Sequence, residues 1–463
     1  MYFGRDTERI EAMINIRDSR ALILHLFGMI LGFLGIALAE SASYHRFYVI
    51  AVSTLLIMTV IIDGSGWIRP YSYLVLSFFV FVWMRYILNI FYGAEIISVG
   101  DGITEYNMNI VSVWLGMAMN IICMAAIISS RSFAYRKRYF FEGNSRLRIP
   151  KYAENMILGI AIGFFVMFLI DSVRKVSVVQ IHDYLSVSET VLIQGYRWFS
   201  LGKWTLLVWI ILGRDENRFF KGSTITAVAG LGYLMRGARG YAIMYMFLWL
   251  LFYSQKKKIK IFTLAIIGIA LLYLANFILS YRMGWSVATG FVNIIKSVLY
   301  QQGASVESVF GSVIFRDDIR LYFSPIDLFR RNDFGIFVDR LRGVTWVSGG
   351  FGSSFFAESY FCGFPVNIVF LVVAGVCAGF VECAYQVSQK GVGIKKKIGM
   401  EKYVHMDCAE FANIILFMTI PNLIYLGRSS IKDFIIKTIL VAVILTAVRG
   451  HSSKMYQRGI NKC

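Results

Sequence analysis

The sequence predicts an all-α, polytopic integral membrane protein, with about twelve spanning helices and one long outer loop. Of its 463 residues, 57% are hydrophobic and only 16% are charged, and a soluble domain cannot bury that much apolar surface. Several apolar runs, among them 21–39, 261–280 and 364–381, reach the roughly 20 residues that a helix needs to cross a bilayer. Because these runs lack the alternation of barrel strands, helices are the expected spanning elements.

The apolar runs are distributed along the whole chain, which we therefore treat as a single transmembrane domain over residues 1–463. The polar stretch 1–20 contains acids as well as bases and precedes a run of full spanning length, so no cleavable signal peptide is expected. The expected helices cover 21–39, 47–63, 71–92, 110–129, 155–171, 194–213, 223–235, 241–254, 261–280, 363–384, 407–426 and 431–448.

Lysine and arginine are unevenly distributed between the loops, and loops rich in them stay in the cytoplasm. Loop 130–153 carries seven, whereas the charged residues of the preceding loop 93–109 are all acidic. Basic clusters at 256–260, 390–402 and 449–462 mark the same side, so both termini are expected in the cytoplasm. We interpret the net charge of +19 as this topology signal plus attraction to anionic membrane lipid, and we expect no nucleic-acid partner.

This topology leaves residues 281–363 as one long loop on the outer face, which we call the cap segment. Loops of this length are usually functional. Aromatic and apolar residues recur in it at spacings suited to amphipathic helices, which indicates a folded cap rather than a disordered linker. These residues are Phe310, Phe315, Tyr322, Phe323, Phe329, Phe334, Phe337 and Trp346.

The cysteines and histidines show no spacing typical of a metal site or a disulfide framework. Cys123, Cys377, Cys383 and Cys408 lie in or beside apolar runs, where cysteine behaves as a small hydrophobic residue. The five histidines are scattered, with no HExxH pattern. We therefore expect no metal and no cofactor.

Several basic residues interrupt the apolar runs, namely Arg85, Arg197, Lys203, Arg236 and Arg239. A charge at the centre of a spanning helix costs about 3 kcal/mol or more, so such residues usually face a wet cavity or an anionic ligand. Snorkelling to the outer headgroups is the alternative. Because a guanidinium donates two parallel hydrogen bonds to adjacent phosphate oxygens, Arg236 and Arg239 indicate a cationic cavity suited to a diphosphate.

The charges of the cap segment are clustered, and local ion pairing at helical spacing, such as Asp339 with Arg342, explains them as well as ligand binding does. Both interpretations stay open from the sequence. The clustered residues are Arg316, Asp317, Asp318, Arg320, Arg330, Arg331, Asp333, Asp339, Arg340 and Arg342.

Residues 349–360 read Gly-Gly-Phe-Gly-Ser-Ser-Phe-Phe-Ala-Glu-Ser-Tyr and are followed by Gly363. With Gln-Gly-Ala-Ser at 302–305 and the Arg-Gly-Ala-Arg-Gly turn at 236–240, this pattern resembles the O-antigen polymerases (Wzy) of Gram-negative bacterial envelopes. The motifs cover residues 230–385, and the many-helix architecture resembles the family over most of the chain. The resemblance implies a C-type glycosyltransferase-like membrane fold in the bacterial inner membrane.

The resemblance also implies an enzyme, a membrane glycosyltransferase that joins undecaprenyl-diphosphate-linked oligosaccharide repeat units at the periplasmic face. A hydroxyl of one lipid-linked unit attacks the anomeric carbon of another, and the lipid diphosphate leaves. Arginines can stabilise its charge without a metal. A chain-length regulator protein is considered as a further partner. The expected catalytic arginines are Arg236 and Arg239, and the expected substrate-binding arginines are Arg282, Arg316, Arg320, Arg340 and Arg342.

Glu358 lies at a membrane entrance, where desolvation would raise its pKa and suit it to act as general base toward the acceptor hydroxyl. A hydrogen-bonded structural carboxylate is the alternative for this residue. Gly350 and Gly352 are expected to permit close backbone approach to the substrate, although a flexible junction before the next helix explains them equally well.

Two other functions fit a similar architecture. A lipid-linked oligosaccharide flippase or transporter would normally show internal repeats and short outer loops, and this sequence shows neither. An O-antigen ligase uses the same donor but transfers the glycan to the lipid A core, and the sequence separates it poorly from a polymerase.

The charge asymmetry generates a topological prediction. Reporter fusions after residues 145, 258 and 395 should report the cytoplasm, because the basic loops that contain them are expected to stay there. A fusion near residue 330 should report the periplasm. A cytoplasmic signal at residue 330 would contradict an outer site.

Overall fold

A computed structural model describes the chain over 3–38, 40–62, 69–96, 104–135, 149–178, 189–213, 217–235, 239–257, 259, 261–283, 287–331, 333–343, 354–394 and 408–443. Within these ranges the regular structure is helical, with no strand. A helix lies at each apolar run of the sequence. The helices that precede the cap segment are α1 Phe3–Ala37, α2 Ala42–Ile62, α3 Pro70–Phe78, α4 Met84–Tyr92, α5 Glu105–Tyr135, α6 Lys151–Val178, α7 Glu189–Leu212, α8 Arg218–Met235, α9 Arg239–Ser254 and α10 Ile261–Met283.

Six helical stretches among the described residues are long and apolar enough to cross a membrane, which makes this a multi-pass membrane protein. The remaining apolar runs stay predictions as membrane spans. The six stretches are Asp18–Ala37, Ser43–Ile62, Pro70–Tyr92, Tyr106–Phe133, Lys151–Arg174 and Val366–Gln389.

Short helices occupy the described part of the cap segment and the start of the next apolar run. Those of the cap segment are α11 Phe291–Gln302, α12 Ser305–Ile314, α13 Arg316–Tyr322, α14 Asp327–Arg330, α15 Phe334–Leu341 and α16 Phe355–Cys362. They are followed by α17 Val366–Ile394, α18 Cys408–Ile424, a 3₁₀ turn at Leu426–Arg428 and a helical stretch over 431–443.

The third apolar run contains a π-helical turn, Phe79–Trp83, between α3 and α4. Pro70 occupies the first turn of α3, where its missing N–H removes no hydrogen bond. The Trp83 indole N–H donates to the Ser53 hydroxyl of α2 at 2.9 Å, which fixes the turn against the neighbouring helix. Turns of this type are frequent at functional sites, and this one directs Phe81 toward the turn at 425–428.

Helix α12 is a buried element of the cap segment. Every residue from Ser305 to Ser312 is buried, and the helix packs against α15, α16 and the end of α5. Its carboxylate, Glu307, is fully buried and forms ion pairs with Arg85 of α4 and with Arg342. Arg85 also donates from Nε to the Tyr300 carbonyl at 2.9 Å and from Nη1 to the Ile96 carbonyl at 3.0 Å. Arg85 therefore joins the cap segment to the bundle, and Glu307 supplies the compensating charge.

Other arginines in or beside the apolar runs are also paired. Arg69, which precedes α3, donates to Glu382 of α17 at 2.6 Å. Arg218, at the start of α8, lies 3.1 Å from Glu410 of α18. Arg69 lies before α3, whereas Arg85, which contacts the cap segment, lies beyond the other end of α3. The ion pair between Arg69 and Glu382 is therefore at the end of the bundle away from the cap segment. Carboxylates on distant helices thus offset the cost of charge in these positions.

The Glu307 pairing generates a stability prediction. Glu307→Gln keeps the shape of the side chain but removes the charge that two buried guanidiniums share, and breaking a buried pair costs about 3 to 5 kcal/mol. We expect a clearly lower Tm in detergent, measured by loss of the monodisperse chromatographic peak after heating.

The matched control is Asp333→Asn, which removes the carboxylate of an ion pair with Arg331 in which both side chains are about half exposed. This change should leave Tm unaltered, because exposed pairs contribute little. Equal melting of Glu307→Gln and the native protein would contradict a role for Glu307 in fixing the cap segment.

Candidate functional site

The predicted site residues fall into described and undescribed parts of the chain. Arg236, Gly350 and Gly352 lie outside the described residues. Arg239 is the first residue of α9, and Arg282 lies in the last turn of α10, but the side chains of both are outside what the structure describes. Their predicted roles therefore rest on position along the chain.

The start of α9, which carries Arg239, lies against the turn at 425–428. A Cβ atom added to Gly240 would overlap the ring of Tyr425, so this ring can lie against the backbone of residue 240 because that residue is glycine. The ring centroids of Tyr241 and Tyr425 are 5.3 Å apart, and those of Tyr425 and Phe81 are 5.4 Å apart. We call this region, which also includes Arg428, the turn site.

Arg428 is the basic side chain that the structure describes in the turn site. Its Nε lies 3.4 Å from the Ser305 hydroxyl, its Nη2 lies 3.4 Å from the Gln301 carbonyl, and its guanidinium carbon lies 5.6 Å from the centroid of the Phe81 ring. The side chain is half-buried, and among the described residues it forms no ion pair with a carboxylate. A half-buried guanidinium held only by long hydrogen bonds to neutral groups is suited to an anionic ligand.

Arg428 was not among the residues predicted from the sequence. The available signal was the position of this residue in the short loop between the apolar runs 407–426 and 431–448. Arg236 and Arg239 occupy a similar short loop, between the apolar runs 223–235 and 241–254. An arginine in a short loop is also the ordinary snorkelling arrangement, so the sequence alone gave no reason to single it out.

Glu358 lies on α16, which begins at the turn site. The Ser354 hydroxyl before this helix donates to the Gly427 carbonyl at 3.1 Å. Glu358 is 2% exposed, and its Oε2 accepts the Ile431 N–H at 2.7 Å. Burial raises the pKa of Glu358 to about 8, the Ile431 N–H opposes that rise, and the charge of Asp433 adds to it. The carboxyl therefore titrates near neutral pH while it also holds the start of the last helical stretch.

Arg316 and Arg320 converge at the other end of α16, on Gly363, whose φ of 72° suits glycine. A Cβ atom at Gly363 would overlap Arg316 Nη2 and would lie 3.4 Å from Arg320 Nη2. The guanidinium carbon of Arg316 is 5.8 Å from the centroid of the Tyr360 ring. The buried Nε of Arg316 has no hydrogen-bond partner among the described residues. We call this region the arginine-pair site.

The turn site and the arginine-pair site lie at opposite ends of two packed helices. Helix α12 begins at Ser305, which contacts Arg428, and it ends just before Arg316. Helix α16 packs against α12 and leads from Ser354 to Gly363 in the same sense. At a rise of about 1.5 Å per residue, the two sites are separated by about 15 Å. Glu358 lies between them.

The other predicted arginines of the cap segment have different surroundings. Arg342 is bound by Glu307 at 2.5 Å and by Asp339 at 3.3 Å, so its charge is compensated within the protein. This is the local pairing that the sequence left open for Asp339 and Arg342. Arg340 is exposed on α15. A substrate-binding role for either residue stays a prediction.

The fold and site define a multi-pass, all-helical membrane protein with basic groups gathered where a folded cap segment meets the helix bundle. The chain belongs to the O-antigen polysaccharide polymerase Wzy family, whose model matches residues 21–338. An O-antigen polymerase of Escherichia coli is 29% identical over 444 residues, which cover 93% of this chain and 94% of that protein. No solved structure matches the chain. The family is one of glycosyltransferase-type polymerases of O-antigen polysaccharide biosynthesis.

The raised pKa of Glu358 generates a prediction for pH dependence. If this carboxylate accepts the proton of the acceptor hydroxyl, the polymerisation rate should rise with pH to a plateau, with a midpoint near pH 8. Glu358→Gln should lower the rate by about 10²- to 10⁴-fold and remove the rising limb. The measurement is the rate of glycan elongation in isolated membranes between pH 6 and about pH 9.5.

Asp433→Asn is the matched control for that experiment. Its carboxylate is exposed and paired with Lys437, and its negative charge contributes to the raised pKa of Glu358. Removing it should move the rising limb to lower pH and leave the plateau unchanged. A profile that is the same in the native protein and in Glu358→Gln would exclude Glu358 as the base.

Proposed function

We propose that the chain joins undecaprenyl-diphosphate-linked oligosaccharide repeat units into O-antigen polysaccharide at the periplasmic face of the bacterial inner membrane. The supporting observation is the contact of two distant parts of the chain in the turn site. The start of α9 lies against the 425–428 turn through Gly240 and Tyr241, which follow the two predicted catalytic arginines directly in the sequence. Basic residues at such a position in a membrane protein are suited to a lipid diphosphate.

In the proposed reaction the bond between the anomeric carbon of the donor glycan and the diphosphate oxygen breaks. A new glycosidic bond forms to a hydroxyl oxygen of the acceptor repeat unit, and the proton of that hydroxyl leaves to a base. The lipid diphosphate departs with the bonding electron pair. Arg236, Arg239 and Arg428 stabilise the charge that develops on it, because fixed guanidiniums stabilise such charge without reorganisation and without a metal.

Glu358 is the proposed base, because α16 places it between the turn site and the arginine-pair site and its pKa of about 8 suits proton acceptance near neutral pH. Gly350 and Gly352 precede this helix and are proposed to let the backbone approach the substrate. Arg282, Arg340 and Arg342 stay in the proposal as further contacts to substrate. The topology, with both termini in the cytoplasm, and a chain-length regulator protein as partner are part of the same proposal.

Disruption of the gene tests the function against its alternatives. Loss of a polymerase leaves single repeat units on the lipopolysaccharide, which is the result we expect. Lipopolysaccharide without repeat units, with the glycan retained on the undecaprenyl carrier, would identify a ligase instead. Repeat units trapped on the inner leaflet would identify a flippase.

Arginine-to-lysine substitutions test the diphosphate contacts. Arg236→Lys, Arg239→Lys and Arg428→Lys keep the charge but lose the two-pronged hydrogen bonding, so each should shorten the ladder of O-antigen lengths on gels. Loss of one such contact in a water-poor site costs about 2 to 4 kcal/mol, or roughly 30- to 1000-fold in rate.

Arg331→Lys is the matched control, because Arg331 belongs to the cap segment but is exposed and paired with Asp333. It should give a normal ladder at equal protein level in the membrane. Normal ladders from all three turn-site variants would show that those arginines only snorkel.

A further inference from the structure

The proposed function assigns the leaving group to Arg236, Arg239 and Arg428, so the arginine-pair site is available for a second anion. We propose that Arg316 and Arg320 bind the diphosphate of the acceptor, so that the protein has separate anion sites for its two lipid-linked substrates. This inference rests on the proposed polymerase function and adds the assignment of one substrate to each site.

The contacts at the arginine-pair site indicate an anionic ligand. Both guanidiniums lie next to Gly363. Because glycine has no side chain, Arg316 Nη2 can occupy the space that a Cβ atom would fill. Among the described residues neither forms an ion pair with a carboxylate, and the buried Nε of Arg316 has no hydrogen-bond partner. Two guanidiniums that lie together at Gly363 without carboxylate partners are suited to donate hydrogen bonds to adjacent oxygens of a diphosphate.

Two neighbouring arginines of the cap segment are compensated by carboxylates, unlike this pair. Arg331 is neutralised by Asp333 at 2.6 Å, and Arg342 is neutralised by Glu307 and Asp339. Asp317 and Asp318 adjoin Arg316 in sequence and are exposed on α13. Neither forms an ion pair with Arg316 or Arg320 within the described part of the chain.

The reaction requires two separated anion sites. In the donor, the reacting anomeric carbon is bonded directly to the diphosphate, so the donor diphosphate must lie at the reacting centre. In the acceptor, the attacking hydroxyl belongs to a sugar, and the sugars between it and the reducing end separate it from the diphosphate. A spacing of about 15 Å along α12 and α16 fits a short oligosaccharide that reaches from Arg316 and Arg320 to the turn site.

The test compares two acceptors with one radiolabelled lipid-diphosphate donor, using the full-length protein in phosphatidylcholine vesicles. One acceptor is the repeat unit on farnesyl diphosphate, and the other is the same repeat unit on a neutral alkyl glycoside. The variants are Arg316→Gln, Arg320→Gln and the double substitution, with Arg331→Gln as the matched control for loss of one positive charge from the cap segment.

We expect each single variant to lower kcat/KM for the diphosphate acceptor by about 10- to 100-fold, the effect of losing charge-assisted hydrogen bonds. Activity with the neutral acceptor should be unchanged, which also shows that the variants fold and bind donor. Arg331→Gln should match the native protein with both acceptors.

Equal losses with both acceptors would overturn the assignment, because the pair would then serve the donor or the fold. Unchanged activity with both would overturn it as well. A loss that appears only when phosphatidylglycerol is added to the vesicles would assign the pair to lipid headgroups instead. Failure of the native protein to elongate either acceptor would contradict the polymerase function itself, and with it this inference.

Discussion

Glu307 carries the charge on which the arrangement of the cap segment depends. It is fully buried on α12, and it is shared by Arg85 of the bundle and Arg342 of the cap segment. Removing one partner of such a cluster leaves a buried charge without compensation, so the three side chains are stable only together. Because Arg85 also holds the carbonyls of Tyr300 and Ile96, the cluster fixes the start of α12 against α4. The turn site and the arginine-pair site are placed by the two ends of that helix.

Much of the bundle could be predicted from the sequence, because spanning helices must be long, apolar and internally hydrogen-bonded. The runs 223–235 and 241–254 correspond to α8 and α9, and α9 begins at the predicted Arg239. Other features had no local signal. The π-helical turn at Phe79–Trp83 interrupts an apolar run of ordinary composition. The partner of Arg85 lies 222 positions away in a short apolar helix of the cap segment, so only tertiary packing could identify it.

Some surroundings of the candidate site residues could also be predicted from the sequence. Glu358 is buried, as its place beside an apolar run indicated, and its pKa is raised for the expected reason, which is desolvation. Arg316 and Arg320 were expected to bind substrate, but their convergence on Gly363 follows from the packing of α12 against α16 and not from spacing. Arg428 escaped notice because arginine is ordinary in a short loop. Its contacts with Ser305 and Phe81 separate it from a snorkelling side chain.

Reconstitution of the purified chain is the most direct measurement of the proposed function. The chain is placed in phospholipid vesicles with undecaprenyl-diphosphate-linked repeat units as the sole added glycan, and both the glycan lengths and the released undecaprenyl diphosphate are measured. We expect lipid-linked products that differ by whole repeat units, with one undecaprenyl diphosphate released for each bond formed. Products confined to a single repeat unit, with no release of undecaprenyl diphosphate, would contradict polymerisation by this chain.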